Sequence, residues 1–161
     1  MAQTAITTNP AVAQAGTFAT AVSGANQVIS KVAAEAIPPG TFVVLTVDDD
    51  TTCELPDATG EVTGGRGLGI ALIDAQKTAA NYAIGEVVQI AIAGEVWVTV
   101  EDAVVGGADA FVRFADAATT LGTFRSDADT ADAVELPNAI YSSTQASAAG
   151  LAKVKLGGVF S

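Results

Sequence analysis

Histidine is absent from this chain, and that removes more chemistry than any other single feature. Ser-His and Cys-His dyads are ruled out, most zinc sites lose a ligand, and the usual general base near neutral pH is missing. Cys53 is the lone cysteine. It has no intrachain disulfide partner and no basic neighbour in sequence to lower its pKa. It reads as a small, half-buried strand residue. The glycine-rich run GGRGLG, Gly64 to Gly69, invites a phosphate-binding reading and fails it. No Lys-Ser or Lys-Thr follows, as a P-loop needs, and Leu72 stands where G-x-G-x-x-G needs its third glycine. A turn leading into a strand at Leu68 is the better reading.

Two acidic clusters raise the question of calcium. Asp48, Asp49 and Asp50 form one; Asp127, Asp129 and Asp132 form the other. An EF-hand loop needs Gly at its sixth place and Glu at its twelfth. Counted from Asp48 those places hold Cys53 and Thr59; counted from Asp127 they hold Asp132 and Asn138. Both clusters therefore read as solvated loops, and no metal or other cofactor is expected. A glycosidase needs two carboxylates that approach in space, which no sequence excludes. Sugar clefts also need aromatic platforms. One Trp, two Tyr and six Phe fall mostly on expected core strands. Trp97 is the exception, out of phase with the valines around it; core packing in a two-sided barrel is the first reading, and an anchor for a partner the second.

The elements that must position these residues are strands. Half of the 161 residues are apolar but only 6% are aromatic, and Val and Thr suit a pleated, half-buried surface. Sixteen Gly and five Pro supply turns. Strands are expected from Val28, from Thr41 to Val47, at Thr52 to Leu55, at Leu68 to Ile73, at Ala110 to Phe114 and at Leu121 to Arg125. Two more lie in ELPNAIYSST and LAKVKLGGVF. In VVQIAIAGEVWVTV, Val88, Ile90 and Ile92 alternate, and after Ala93-Gly94 so do Val96, Val98 and Val100, which predicts a hairpin turning at that glycine. Lys153 and Lys155 alternate with Ala152, Val154 and Leu156, which predicts a half-exposed edge strand. Short helical turns are expected at Asp74 to Ala80 or Thr144 to Ala149. Gly40, Gly85 and Gly107 each precede a strand, a shared grammar whose spacing is too irregular for a solenoid.

These signals predict an all-β fold, a compact β-barrel or sandwich of about eight to ten short strands. Residues 1–27 are small and polar with no clean period and read as an extended N-terminal arm; residues 28–161 read as a single β-barrel-like domain. The net charge of −11 repels phosphate and anionic lipid, so nucleic acid and membrane surfaces are disfavoured partners. No apolar run approaches the roughly 20 residues of a membrane-spanning helix. The first residues also lack the basic-then-apolar pattern of a secretory signal.

Several long segments resemble one family, the structural cement or head decoration proteins of tailed phages. They are NPAVAQAG in the arm, KVAAEAIPPGTFVVL, the turn and strand GLGIALID, the central YAIGEVVQIAIAGEVWVTVEDAVVGGADAFVRF, and the closing ELPNAIYSSTQASAAGLAKVKL. The central and closing segments are the most specific, and all are fold signatures without a catalytic motif. The loops around Asp48 to Gly64 and Lys77 to Asn81 look individual. The resemblance implies a non-enzymatic virion protein on the capsid exterior, made in the host bacterial cytoplasm. It implies a major capsid protein of the HK97-like fold as partner and a homo-oligomer, with a trimer preferred to a dimer. Ile6, Pro10, Val12 and Phe18 of the arm, with Trp97, are the expected contact residues. The alternative is a carbohydrate-binding or adhesive β-domain, which needs an exposed aromatic patch or an ordered calcium site.

Overall fold

The computed structural model describes residues 13–19, 26–76, 80–115, 121–147 and 150–157. Nine strands run in the order β1 (Gln27–Ala33), β2 (Phe42–Leu45), β3 (Thr52–Glu54), β4 (Gly67–Ala71), β5 (Val87–Thr99), β6 (Asp109–Arg113), β7 (Phe124–Arg125), β8 (Ala133–Tyr141) and β9 (Leu151–Gly157). The strand expectations outside the central segment are met to within a few residues at their ends.

The first five strands close a barrel. Their order is β1-β3-β2-β4-β5, and β5 pairs back onto β1. The remaining strands extend from the far half of β5 in the order β9-β8-β6-β7. Phe124 of β7 returns to β5 by a parallel bridge with Val100, and the Glu101 N–H donates to the Phe124 carbonyl at 2.9 Å.

The expected hairpin is instead one strand. β5 runs unbroken through Ala93 and Gly94 for 13 residues. Its near half pairs with β1 and β4 and its far half with β9. Val88 and Ile90 fill the first barrel and Val96 and Val98 the second sheet's core; between them a register shift against Gln27 and Val28 interrupts the alternation, and Ala91 and Ala93 are buried as well. The expected edge is likewise an interior strand, because β9 lies between β5 and β8. Its lysines point outward because its other face is buried.

Two buried clusters result. Ala33, Val43, Cys53, Ala71, Val88 and Ile90 come from all five strands of the first barrel. The second cluster draws on β5 to β9 and on Phe42, Val44 and Ile70. These last three lie on alternate positions of β2 and β4, so the barrel's outer face packs against the second sheet. Each fully buried Val, Ile or Phe contributes about 1.5–3 kcal/mol of transfer free energy. Tyr82 and Tyr141 satisfy their hydroxyls by donating to the carbonyls of Leu72 at 2.7 Å and Arg125 at 2.8 Å.

The α-helix among the described residues is α1 (Thr59–Thr63), in a stretch read as loop. Glu61 begins it by accepting the Asp57 N–H at 2.8 Å, and Val62 inserts into the core. The expected helical turns are not seen where described. Asp74 to Gln76 are irregular or turn, and Thr144 to Ser147 are irregular; residues 77–79 and 148–149 lie outside the described set. A 3-10 turn covers Asp129–Ala131. Among the described residues no helix is long and apolar enough to cross a membrane.

Candidate functional site

The strongest charge constellation joins residues far apart in sequence. Arg113, at the end of β6, is only 3% exposed at its side chain. Its Nε donates to both Glu101 carboxylate oxygens at 2.8 and 2.9 Å, and its Nη2 to Glu101 at 2.7 Å and to Asp129 at 2.5 Å. Arg125 shares both acceptors, at 3.0 and 2.8 Å, and adds Asp127 at 2.9 Å. Thr123 donates its hydroxyl to Glu101 as well. Burial pushes the Glu101 carboxyl up, but the hydrogen bonds from Arg113 and Thr123 and the charges of both arginines outweigh it. The group is held below its ordinary value. The same contacts raise Arg113 further, against its own burial.

A smaller cluster surrounds Arg66. It donates to Glu54 at 2.9 Å, to Glu61 at 2.7 Å and to the Leu45 carbonyl through Nε at 2.9 Å. Burial, then the neighbouring Glu61 charge, pushes Glu54 up. These two carboxylates sit on either side of a guanidinium, so the cation between them is supplied by the protein. The arrangement ties α1 to β2 and β3, and Arg66 also lines a shallow open pocket with Leu45, Thr46 and Asp48 to Asp50.

Three carboxylates of the acidic loops, Asp49, Asp127 and Asp129, bind the chain itself. Asp49 accepts the Thr51 N–H at 2.8 Å, the Thr51 hydroxyl at 2.6 Å and the Thr52 hydroxyl at 2.9 Å. The Thr51 side chain, foremost, holds its carboxyl below the usual range. Such contacts close a tight polar turn. Asp127 and Asp129 serve the arginines. Among the described residues no group of three or more His, Cys, Asp or Glu is placed to hold a metal. Cys53 is fully buried, and that burial pushes its thiol up to about 11. A thiol so protonated is a poor nucleophile.

Of the expected contact residues, Ile6, Pro10 and Val12 lie outside the described residues. Phe18 and Trp97 lie on neighbouring strands, Phe18 turned to the core and Trp97 outward. Residues 16–19 run antiparallel to β5: Gly16 N–H donates to the Trp97 carbonyl at 2.7 Å, Trp97 N–H to Thr17 at 2.9 Å, and Ala19 N–H to Glu95 at 2.8 Å. Phe18 bridges Val96 and packs, half-buried, on the core. Gly16 also accepts from the Ile73 N–H at 2.9 Å, which joins this segment to the first barrel. Trp97 is half-buried on the outer face, with the Lys153 ammonium 5.2 Å from its ring centroid, a cation–π contact. The arginine clusters escaped sequence reading because no short motif links Glu101, Arg113, Arg125 and Asp129.

Comparison with known proteins adds three findings. The family model described as Structural cement protein (E217 gp24/Pam3 gp6) matches residues 2–157. A chain from the solved capsid of Myoviridae phage XM1 is similar in fold, with a TM-score of 0.71 at 18% identity over 96% of both chains. No curated protein matches.

Proposed function

This chain belongs to the phage structural cement family, and from that premise we propose that it binds the exterior of a phage head and bridges neighbouring major capsid subunits. Family membership makes it a capsid-associated structural protein; the match over residues 2–157 is the observation that carries this. The outer placement rests on charge. A chain of net charge −11 is repelled by packaged DNA and favoured on the solvent side. The partner in this reading is a major capsid protein of the HK97-like fold. The chain assembles there as a homo-oligomer, a trimer in preference to a dimer, after synthesis in the host bacterial cytoplasm.

The mechanism is linkage. A protein that binds only the assembled shell stabilises the shell by the free energy of that binding. Contacts repeated over a lattice gain strength through effective concentration. In this reading residues 1–27 act as an arm over residues 28–161. Ile6, Pro10, Val12 and Trp97 supply contact area, and Phe18 roots the arm on β5. The test is cryo-microscopy of heads purified with and without the protein. Extra density at symmetry-repeated positions outside the shell is expected. Density inside, against the DNA, overturns the placement.

A further inference from the structure

The turn between β7 and β8 is held differently from its counterpart in the first barrel. The pairs β2–β3, β2–β4 and β4–β5 are matched by β6–β7, β6–β8 and β8–β9, and all six are antiparallel. The connection from β3 to β4 therefore corresponds to the connection from β7 to β8. In the first, α1 forms and Val62 anchors it in the core. In the second, the 3-10 turn Asp129–Ala131 buries no side chain.

Its backbone is strained as well. Asp129, Thr130 and Ala131 have φ of 40°, 56° and 83°. Aspartate tolerates this left-handed region, but alanine is disfavoured there and a β-branched residue is an outlier. The forces that oppose the strain are polar. One Asp129 carboxylate oxygen accepts from Arg113 at 2.5 Å and from Arg125 at 2.8 Å. The Asp129 N–H donates to Asp127 at 3.0 Å. The Ala128 carbonyl accepts the N–H groups of Ala131 and Ala133 at 2.9 and 3.1 Å, and the Asp132 carbonyl accepts those of Phe114 and Ala115 at 3.0 and 3.1 Å. The side chains of Arg113 and Arg125 are only 3% and 11% exposed, whereas that of Asp129 is 37% exposed.

We propose that residues 128–132 form a strained strap, held shut by the Asp129 carboxylate, which opens as a unit while the sheets stay folded and uncovers Arg113 and Arg125. Local opening is favoured where few apolar groups are buried, and here the backbone strain drives in the same direction. Both arginines keep Glu101 as a partner when the strap lifts, so opening leaves neither cation uncompensated. The opened form exposes two guanidiniums, on a chain of net charge −11, at the place that the chain's own carboxylate fills in the closed form. This device does not rest on the capsid reading.

Hydrogen exchange of the full-length protein tests it, read at the amides of Ala131, Asp132 and Ala133. In the wild type these should exchange at rates that dilute urea leaves unchanged, because a local opening exposes little surface. Interior amides of β5 should exchange far more slowly and accelerate with urea. Asp129→Asn should speed exchange in the strap about tenfold, since a charged acceptor is lost. Thr130→Gly and Ala131→Gly relieve the strain and keep the carboxylate, and each should slow it about threefold. Phenylglyoxal, an arginine reagent, should modify Arg125 faster in Asp129→Asn than in the wild type, with Arg66 unchanged as the internal control. Strap amides that share the rate and urea dependence of β5 would make the turn part of the global folding unit and overturn the proposal. Glycine variants that exchange faster than wild type also overturn it, because the backbone is then not strained. So does Arg125 modification at the wild-type rate in Asp129→Asn.

Discussion

Arg113 is the residue on which the second sheet's interior charge depends. Its guanidinium is nearly inaccessible and carries two acceptors, Glu101 and Asp129. Removing one partner of a buried ion pair leaves the other uncompensated and costs about 3–5 kcal/mol, whereas replacing both with apolar groups is often neutral. Arg113→Ala should therefore lower the melting temperature by about 10 °C at this chain length, and Arg113→Met with Glu101→Leu should recover much of it. Equal losses in the single and double variants would show that the pair itself is not the cause. Glu101 also sets an acid limb. Its folded-state pKa lies below the ordinary 4.5, so the folded state favours the carboxylate. The stabilisation is full above about pH 4.5 and is lost as pH falls through the lower folded value. Urea titrations from pH 7 to pH 3 should show Glu101→Gln less stable at pH 7 but losing less on acidification than wild type. Parallel curves would contradict this.

At the scale of elements, Gly16 fastens the N-terminal segment to two places at once. Its φ is 81°, and a Cβ there would stand 2.8 Å from the Ile73 nitrogen and 2.9 Å from the Pro39 Cβ. Gly65 has a similar φ of 87° with open space around it. Gly65→Ala should cost about 1 kcal/mol for the backbone alone; Gly16→Ala should cost more, because neighbouring backbone must also move. Calorimetry showing equal losses would mean that the close approach does not matter. The same elements show what a sequence can disclose. Period-two alternation located the longer strands outside the centre, because burial on one face is a local pattern. The hairpin expectation at β5 was wrong: a two-residue turn at Ala93-Gly94 would put Ile92 opposite Glu95, leaving Val96, Val98 and Val100 on the wrong face, an objection that the glycine signal outweighed. The even-numbered apolar residues on both sides of Gly94 argue for one strand. Helix α1 was not legible, since TGEVT combines two Thr, a Val and a Gly, poor helix formers held by Glu61 and by Val62 in the core. The arginine clusters were illegible because only the closed sheets bring their members together. Trp97 was flagged by being out of phase, and its outward position beside Thr17 and Lys153 is what that phase means.

At the scale of the whole molecule, the question is how an acidic barrel with an added sheet would hold to a phage shell. In the proposed role, contacts repeated over the lattice, with further contacts from an arm, bind tightly without any one being strong. An arm ordered on binding adds area but loses conformational entropy in doing so, so its net contribution is smaller than its contact area suggests. The place to cut is set by the structure. Residues 16–19 hydrogen-bond to β5 and Gln27 begins β1, so deleting residues 1–27 would remove part of the fold along with the arm. Deleting residues 1–12 spares every one of those bonds. The shortened protein should melt as wild type does and occupy heads more weakly, with a faster dissociation rate, since most affinity changes within one interface appear there. Wild-type occupancy and dissociation in the shortened protein would remove the arm from the binding mechanism and leave the shell contact to the barrel and second sheet. A lowered melting temperature would instead make residues 1–12 part of the folded unit.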